Sequence, residues 1–184
     1  MFVRVVRGKV ADPRAALAAT SGWVGGIKAT ASGYLGSTAG VTEDGTLVRF
    51  ESQQAARWDG PMVPAIDAVT VIDCPDVAFL YGGGSDDAGY VQVMAGHTAN
   101  PARFKEISRR FEDYLPSSRP EILGGVTAFA PDGTFFNVVY FTSQDAARAG
   151  EREPRPPEIE ELFSEFDDQL DEYLDLTEPW FDSA

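Results

Sequence analysis

The chain is written twice. At a shift of 88 residues, Phe2–Thr46 lies on Tyr90–Thr134 without a gap, and ten of those 45 positions are identical. They include Val3/Val91, Val5/Val93, Gly8/Gly96, Pro13/Pro101, Leu35-Gly36/Leu123-Gly124 and Asp44-Gly45-Thr46/Asp132-Gly133-Thr134. At a shift of 91, Leu47–Arg57 lies on Val138–Arg148 with seven of eleven identical, in the shared pattern Phe-x-Ser-Gln-x-Ala-Ala-Arg. Apolar positions match even where identities fail. Ala16, Ala19, Trp23 and Ile27 fall opposite Phe104, Ile107, Phe111 and Leu115, a spacing that gives an amphipathic helix one buried stripe. Internal self-similarity on this scale marks a repeated structural unit.

Each copy reads as strand, helix, strand, strand, helix, strand. The first strand is predicted over residues 2–10 (90–98), followed by a helix over about 13–24 (101–115) with Asp12 or Asn100 as N-cap and Pro13 or Pro101 behind it. A hairpin follows: strands over about 34–42 (121–130) and 46–51 (134–142) flank Asp44-Gly45 or Asp132-Gly133, a strong turn signal. Ser52 and Ser143 are expected to cap a second helix, and the last strands are placed at about 69–73 and 173–176. The order β-α-β-β-α-β is the ferredoxin-like unit. The expected fold class is therefore α+β, a tandem duplication whose two four-stranded antiparallel sheets pack face to face as a pseudo-dimeric α/β barrel. The division expected is a first repeat over 1–82, a flexible Gly/Ser/Asp linker over 83–88 and a second repeat over 89–184. The third strand of the first copy reads three residues shorter. The second copy carries a longer helix over 157–173 with Ile159, Leu162, Phe163, Phe166, Leu170 and Tyr173 at helical period and an acidic, solvated opposite face.

Face-to-face packing follows from the first strands. Val3 and Val5 lie on one side and Phe2 and Val6 on the other, as Val91 and Val93 lie against Tyr90 and Met94. A sheet with a wet face would alternate apolar and polar residues, so both faces are expected to be covered, one of them by the other copy.

Composition excludes several roles. A net charge of −14 opposes nucleic acid and anionic membrane surfaces, and no apolar run reaches the length of a membrane span. The single cysteine, Cys74, cannot close an internal disulfide. The N-terminus reads as a strand and lacks the apolar core of a signal peptide, so the cytoplasm is expected. One His and one Cys leave no ordinary zinc set, no G-x-S-x-G accompanies the His, and Gly82-Gly83-Gly84 lacks the Lys and Ser/Thr of a phosphate loop. No metal and no cofactor are expected.

The doubled unit resembles the dimeric α/β-barrel superfamily, the antibiotic-biosynthesis-monooxygenase-like proteins, and within it a two-copy bacterial branch. The resemblance rests on Gly33-Tyr34-Leu35-Gly36-Ser37-Thr38-Ala39-Gly40, the Phe-x-Ser-Gln-x-Ala-Ala-Arg pair and Ala88-Gly89-Tyr90-Val91-Gln92-Val93-Met94. It covers nearly the whole chain, and its motifs mark turns, caps and strands rather than chemistry. It implies a ligand site between helices and sheet, aromatic polyketide, quinol or haem substrates, and reactions that often use no metal or flavin. Haem-degrading members place an Asn on the first strand, where this chain has Arg4 and Gln92.

Five residues are candidates for a ligand pocket: Arg4, Gln92, Trp58, Tyr34 and His97. Arg4 and Gln92 sit between apolar neighbours at equivalent positions, and a polar group buried there needs a partner; they fix register as readily as they bind a ligand. Trp58 could line an aromatic pocket or simply pack. Tyr34 faces Ile122 in the repeat, and His97, the lone histidine, faces Lys9, which favours a solvent-facing strand end. The expected partner is a small apolar or aromatic molecule, with the chain a monomeric pseudo-dimer or weak homodimer. Three functions stay open: a small-molecule-binding protein of the monooxygenase-like barrel group, acting if at all as a cofactor-independent oxygenase or isomerase; a non-catalytic structural module with filled pockets; and haem binding through His97.

Overall fold

The computed structural model describes residues 1–30, 33–54 and 67–183. In chain order the elements are β1 (Phe2–Lys9), α1 (Pro13–Thr30), β2 (Tyr34–Val41), β3 (Thr46–Gln53), β4 (Asp67–Cys74), β5 (Asp76–Leu80), β6 (Tyr90–His97), α2 (Pro101–Ser118), β7 (Ile122–Phe129), β8 (Thr134–Phe141), α3 (Gln144–Glu151), α4 (Pro157–Asp167), β9 (Leu170–Leu176) and β10 (Trp180–Ser183). The second helix expected in the first half would fall on residues 55–66, outside the described residues.

Two antiparallel sheets result, ordered β10-β2-β3-β1-β4 and β5-β7-β8-β6-β9. Each has five strands, where the sequence predicted four. The fifth strand is exchanged: β5 follows the first half but pairs with β7, Ala78 opposite Thr127, while β10 ends the second half but pairs with β2, Trp180 opposite Ala39. The exchange covers an edge of each sheet that would otherwise present unpaired backbone groups.

The inner faces meet in one core. Val3, Val5, Val48, Phe50 and Cys74 from the first sheet pack with Val91, Val93, Phe136, Val138, Tyr140 and Leu176 from the second. Phe50 meets Phe136 edge to face, centroids 6.0 Å apart, and Thr38 Oγ1 shares a 2.7 Å hydrogen bond with the Tyr140 hydroxyl across the interface. Cys74 is fully buried, and that burial pushes its thiol up to about 12.

The pairings explain the shared residues. Gly8 and Gly96 both fall at a break in register, on the β1–β4 and β6–β9 ladders respectively, and a Cβ on Gly96 would strike the Gln169 carbonyl. Leu35-Gly36 and Leu123-Gly124 mark the same bulge in β2 and β7. Gly45 and Gly133 turn the hairpins at φ 78° and 94°, a region closed to most side chains. Asp12 Oδ1 accepts from Arg14 N at 2.9 Å, and Asn100 Oδ1 from Arg103 N at 3.1 Å, capping the two long helices. The buried stripe of α2 is Phe104, Ile107, Phe111 and Leu115.

Three expectations fail. The third strands are equal at eight residues each, because the shift of 88 continues through them: Phe2 faces Gln53 as Tyr90 faces Phe141. The Phe-x-Ser-Gln match at a shift of 91 is therefore three residues out of spatial register. An odd slip exchanges sheet faces, so Phe50 joins the inner core while Phe141 packs on the helix side. Ser143 caps α3 by accepting from Ala146 N at 3.2 Å, whereas Ser52 lies inside β3 opposite Val3. The long helix expected to reach Tyr173 stops at Asp167, because Leu170–Leu176 pairs along β6 instead; tertiary pairing overrides helical spacing over one short segment.

If the two inner faces share one core, Phe50→Leu and Phe136→Leu should be coupled. A double-mutant cycle in urea should give an interaction of about 0.5–1.5 kcal/mol, and additive losses would contradict the packing. Cys74 should resist a thiol reagent in the native protein at neutral pH and react fully on unfolding, since the thiolate is the nucleophile.

Candidate functional site

The outer face of the second sheet is covered by α2 and α4, and between sheet and helices lies a cavity of about 420 Å³. Its floor is two rows of residues running across the strands, about 4.8 Å apart from strand to strand. One row is Ala78, Thr127, Asn137, Met94 and Tyr173; the other includes Leu80, Val139, Gln92 and Asp175. Phe111 and Leu115 of α2 and Phe163 and Phe166 of α4 form the roof. Phe111 and Phe163 stack at 4.4 Å, and the Arg155 guanidinium lies over Phe163 at 4.0 Å.

Polar groups enter this apolar space at two places. On the floor, Thr127 Oγ1 donates to Asn137 Oδ1 at 2.8 Å, which leaves the Asn137 amide N–H groups as donors to the cavity. Gln92, 5% exposed, donates over long distances, 3.5 Å to the Tyr90 hydroxyl and 3.4 Å to Glu151 Oε1. Its carbonyl oxygen is the floor's neutral acceptor. At the end wall, Asp175 accepts from the Tyr90 hydroxyl at 2.5 Å and is ion-paired to Arg148, which also holds Glu151 at 2.8 Å. Burial pushes the Tyr90 hydroxyl well above the ordinary phenol range, and its bond to Asp175 adds to the shift.

The duplication supplies an internal comparison. By register, Arg4 stands where Gln92 does, Arg49 where Asn137 does, Glu51 where Val139 does, and Asp73 where Asp175 does. The floor of the first half thus carries four charges. Arg4 grips Asp73 through Nε and Nη2, at 2.8 and 3.3 Å, and Arg49 is ion-paired to Glu51 with both side chains almost fully buried. Desolvation draws the Arg49 pKa down and the Glu51 pKa up, each opposed by the charge of the other.

Of the five sequence candidates, Gln92 lies on the cavity. Arg4 belongs to the charged floor of the other half. Tyr34 is buried there too, its hydroxyl donating to Asp182 Oδ2 at 3.2 Å. His97 is exposed at the end of β6, away from the cavity lining. Trp58 lies outside the described residues. Sequence reasoning missed Thr127, Asn137 and Asp175, whose alternation with apolar residues looks like that of a solvated face. It also missed Arg49 and Glu51, for the same reason.

The site is thus a helix-roofed pocket on one sheet of a doubled ferredoxin-like fold, and the fold is shared with a ferredoxin-fold protein from Listeria monocytogenes related to antibiotic biosynthesis monooxygenases. No protein-family model matches the sequence, and no curated protein matches it. Among solved structures, a candidate monooxygenase from Lactobacillus acidophilus is similar at a TM-score of 0.68 and 12% identity, over 99% of both chains. An anthrone oxidase-like protein is similar at 0.69 and 11%, over 100% of this chain and 93% of that one. A haem-degrading enzyme from Listeria monocytogenes is similar at 0.51 and 8%, over 98% and 97%. The likeness is one of fold. No helix is long and apolar enough to cross a membrane among the described residues, and no group of three or more metal-ligating side chains is found among them.

The two floors should respond differently to mutation. Glu51→Gln leaves a buried guanidinium without its carboxylate and should cost about 3–5 kcal/mol in urea denaturation. Gln92→Leu, in a space with room and no charge to strand, should change stability by less than about 1.5 kcal/mol. Equal effects would contradict the assignment of one floor as packed and the other as open.

Proposed function

We propose that the second half binds one small aromatic molecule in the cavity beneath α2 and α4, and that the chain acts on it as an oxygenase without a bound cofactor. The observation that carries this is the cavity's make-up: aromatic and aliphatic walls, with Asn137 as donor and Gln92 as acceptor on the floor. Diagonal neighbours on adjacent strands stand about 7–8 Å apart, a span suited to a ring bearing oxygen atoms at opposite edges. The fold shared with candidate monooxygenases and an anthrone oxidase-like protein supports the choice of oxygen chemistry.

An anthrone gives the balanced reaction. Its methylene loses two hydrogens and gains one oxygen atom from O2, and the other oxygen leaves as water, yielding the quinone. The protein's share is to seat the ring against Met94 and Val139, to donate from Asn137 to the carbonyl as it becomes an enolate, and to accept the methylene proton. Asp175 is the carboxylate on the wall beside Gln92 and takes that last role. A donor placed where charge develops lowers the barrier most.

The experiment combines calorimetric titration of anthrone with oxygen uptake measured against buffer alone. Micromolar binding and accelerated uptake are expected. Met94→Trp, which fills the floor, should abolish both, while Asp175→Asn should retain binding and lose at least a hundredfold in turnover, the usual scale of general-base catalysis. No binding by anthrone or by simple quinols would overturn the proposal, and binding without turnover would reduce it to a binding protein.

The charged floor of the first half favours a structural role for that half. Haem ligation through His97 draws no support, since that side chain is exposed and outside the cavity.

A further inference from the structure

We infer that the cavity selects its ligand by charge, admitting uncharged hydroxylated or keto-aromatic rings and rejecting carboxylated analogues of the same size, with Glu112 of α2 as the discriminating residue. This rests on the reading of the cavity as a ligand site and adds the class of ligand it takes.

The argument is a charge inventory of the walls. Three guanidinium groups reach the cavity, those of Arg119, Arg148 and Arg155. Each is already engaged: Arg119 by Glu121 and the Ala147 carbonyl, Arg148 by Glu151 and Asp175 together, and Arg155 by Glu160 at 3.3 Å and by the face of Phe163. Arg148 faces two carboxylates with one charge, so that wall is negative on balance. Asp167, on the rim, adds another carboxylate, which accepts from the Tyr173 hydroxyl at 3.2 Å. Glu112 also lines the cavity, and among the described residues no cation pairs with it. It stands on the same helix face as Phe111 and Leu115, partly shielded from water, where screening is weaker than on the open surface.

The floor offers an anion no positive charge in return. Its polar contacts are two neutral amides, the Thr127 and Tyr173 hydroxyls and the Asp175 carboxylate, and an incoming carboxylate would shed water without meeting a free cation, a loss that burial makes large. The field of the whole chain, at −14, acts in the same direction. A macrocycle bearing two propionates, as haem does, falls on the rejected side.

The test compares 2-naphthol with 2-naphthoate, two bicyclic probes that differ chiefly in charge at pH 7, by calorimetric titration of the intact protein. Naphthol should bind at least tenfold more tightly than naphthoate. Glu112→Gln should narrow that gap several-fold and Glu112→Lys should reverse it, with urea midpoints showing that both variants remain folded. Equal binding of the two probes would overturn the charge selection and leave the ligand site standing. A gap unchanged in both Glu112 variants would overturn the assignment to Glu112. If neither probe nor anthrone binds, the ligand-site reading itself fails, and this inference with it.

Discussion

The structure depends on two apolar β-surfaces that exclude water only by facing each other. Neither sheet could leave Val3, Val5 and Phe50, or Val91, Val93 and Phe136, in solvent without forfeiting roughly 25 cal/mol for each Å² of apolar area. The exchanged strands make the arrangement reciprocal. The residue offset of 102 that relates Asp73 to Asp175 also relates Ala78 to Trp180, so β5 and β10 are themselves a repeated element, each completing the sheet of the opposite half.

That constraint decides where the halves stay alike and where they part. Of the inward positions of the first strands, Val3/Val91 and Val5/Val93 are identical within the shared core, while Arg7/Ala95 differs where Arg7 pairs with Glu172. Outward positions on the same strands differ: Arg4/Gln92 and Val6/Met94, and on the third strands Arg49/Asn137 and Glu51/Val139. Each outward face lies away from the core shared by the two sheets, so a change there does not enter that core. A symmetric homodimer would have to carry the same floor twice. One continuous chain can make one floor a buried ionic cluster and the other the base of a cavity.

The repeat was enough to read the hairpins, the caps at Asp12, Asn100 and Ser143 and the need for a second layer, because those features rest on local chemistry and on the two-residue alternation of strands. Three things escaped it. The exchanged strands are short and lie past the last strand expected in each repeat, and their pairing partners are far away in sequence. The third-strand register was misread because Phe-x-Ser-Gln-x-Ala-Ala-Arg recurs at a shift that the sheet does not use; seven identities were outweighed by which face each side chain must occupy. The cavity floor was visible only at Gln92, a polar residue flanked by Val91 and Val93. Asn137 and Thr127 also sit among apolar neighbours, yet nothing in the sequence told a covered outer face from a wet one.

The origin of the cavity can be argued from the same registers. The halves run at an offset of 88 through the third strand and 102 at the fourth, so fourteen residues are added in the second half between those strands. The stretch between β8 and β9 contains α4 and the segment leading into it, the source of Arg155, Phe163, Phe166 and Asp167 on the cavity wall. Shortening the floor side chains would by itself open a void lined by apolar groups, a destabilising change. Adding a roof of aromatic residues encloses that space and sets its height. The pocket therefore takes two coordinated differences from the first half, loss of the Arg4, Arg49 and Glu51 charges from the sheet and fourteen more residues between its third and fourth strands. A defect in packing would need only the first.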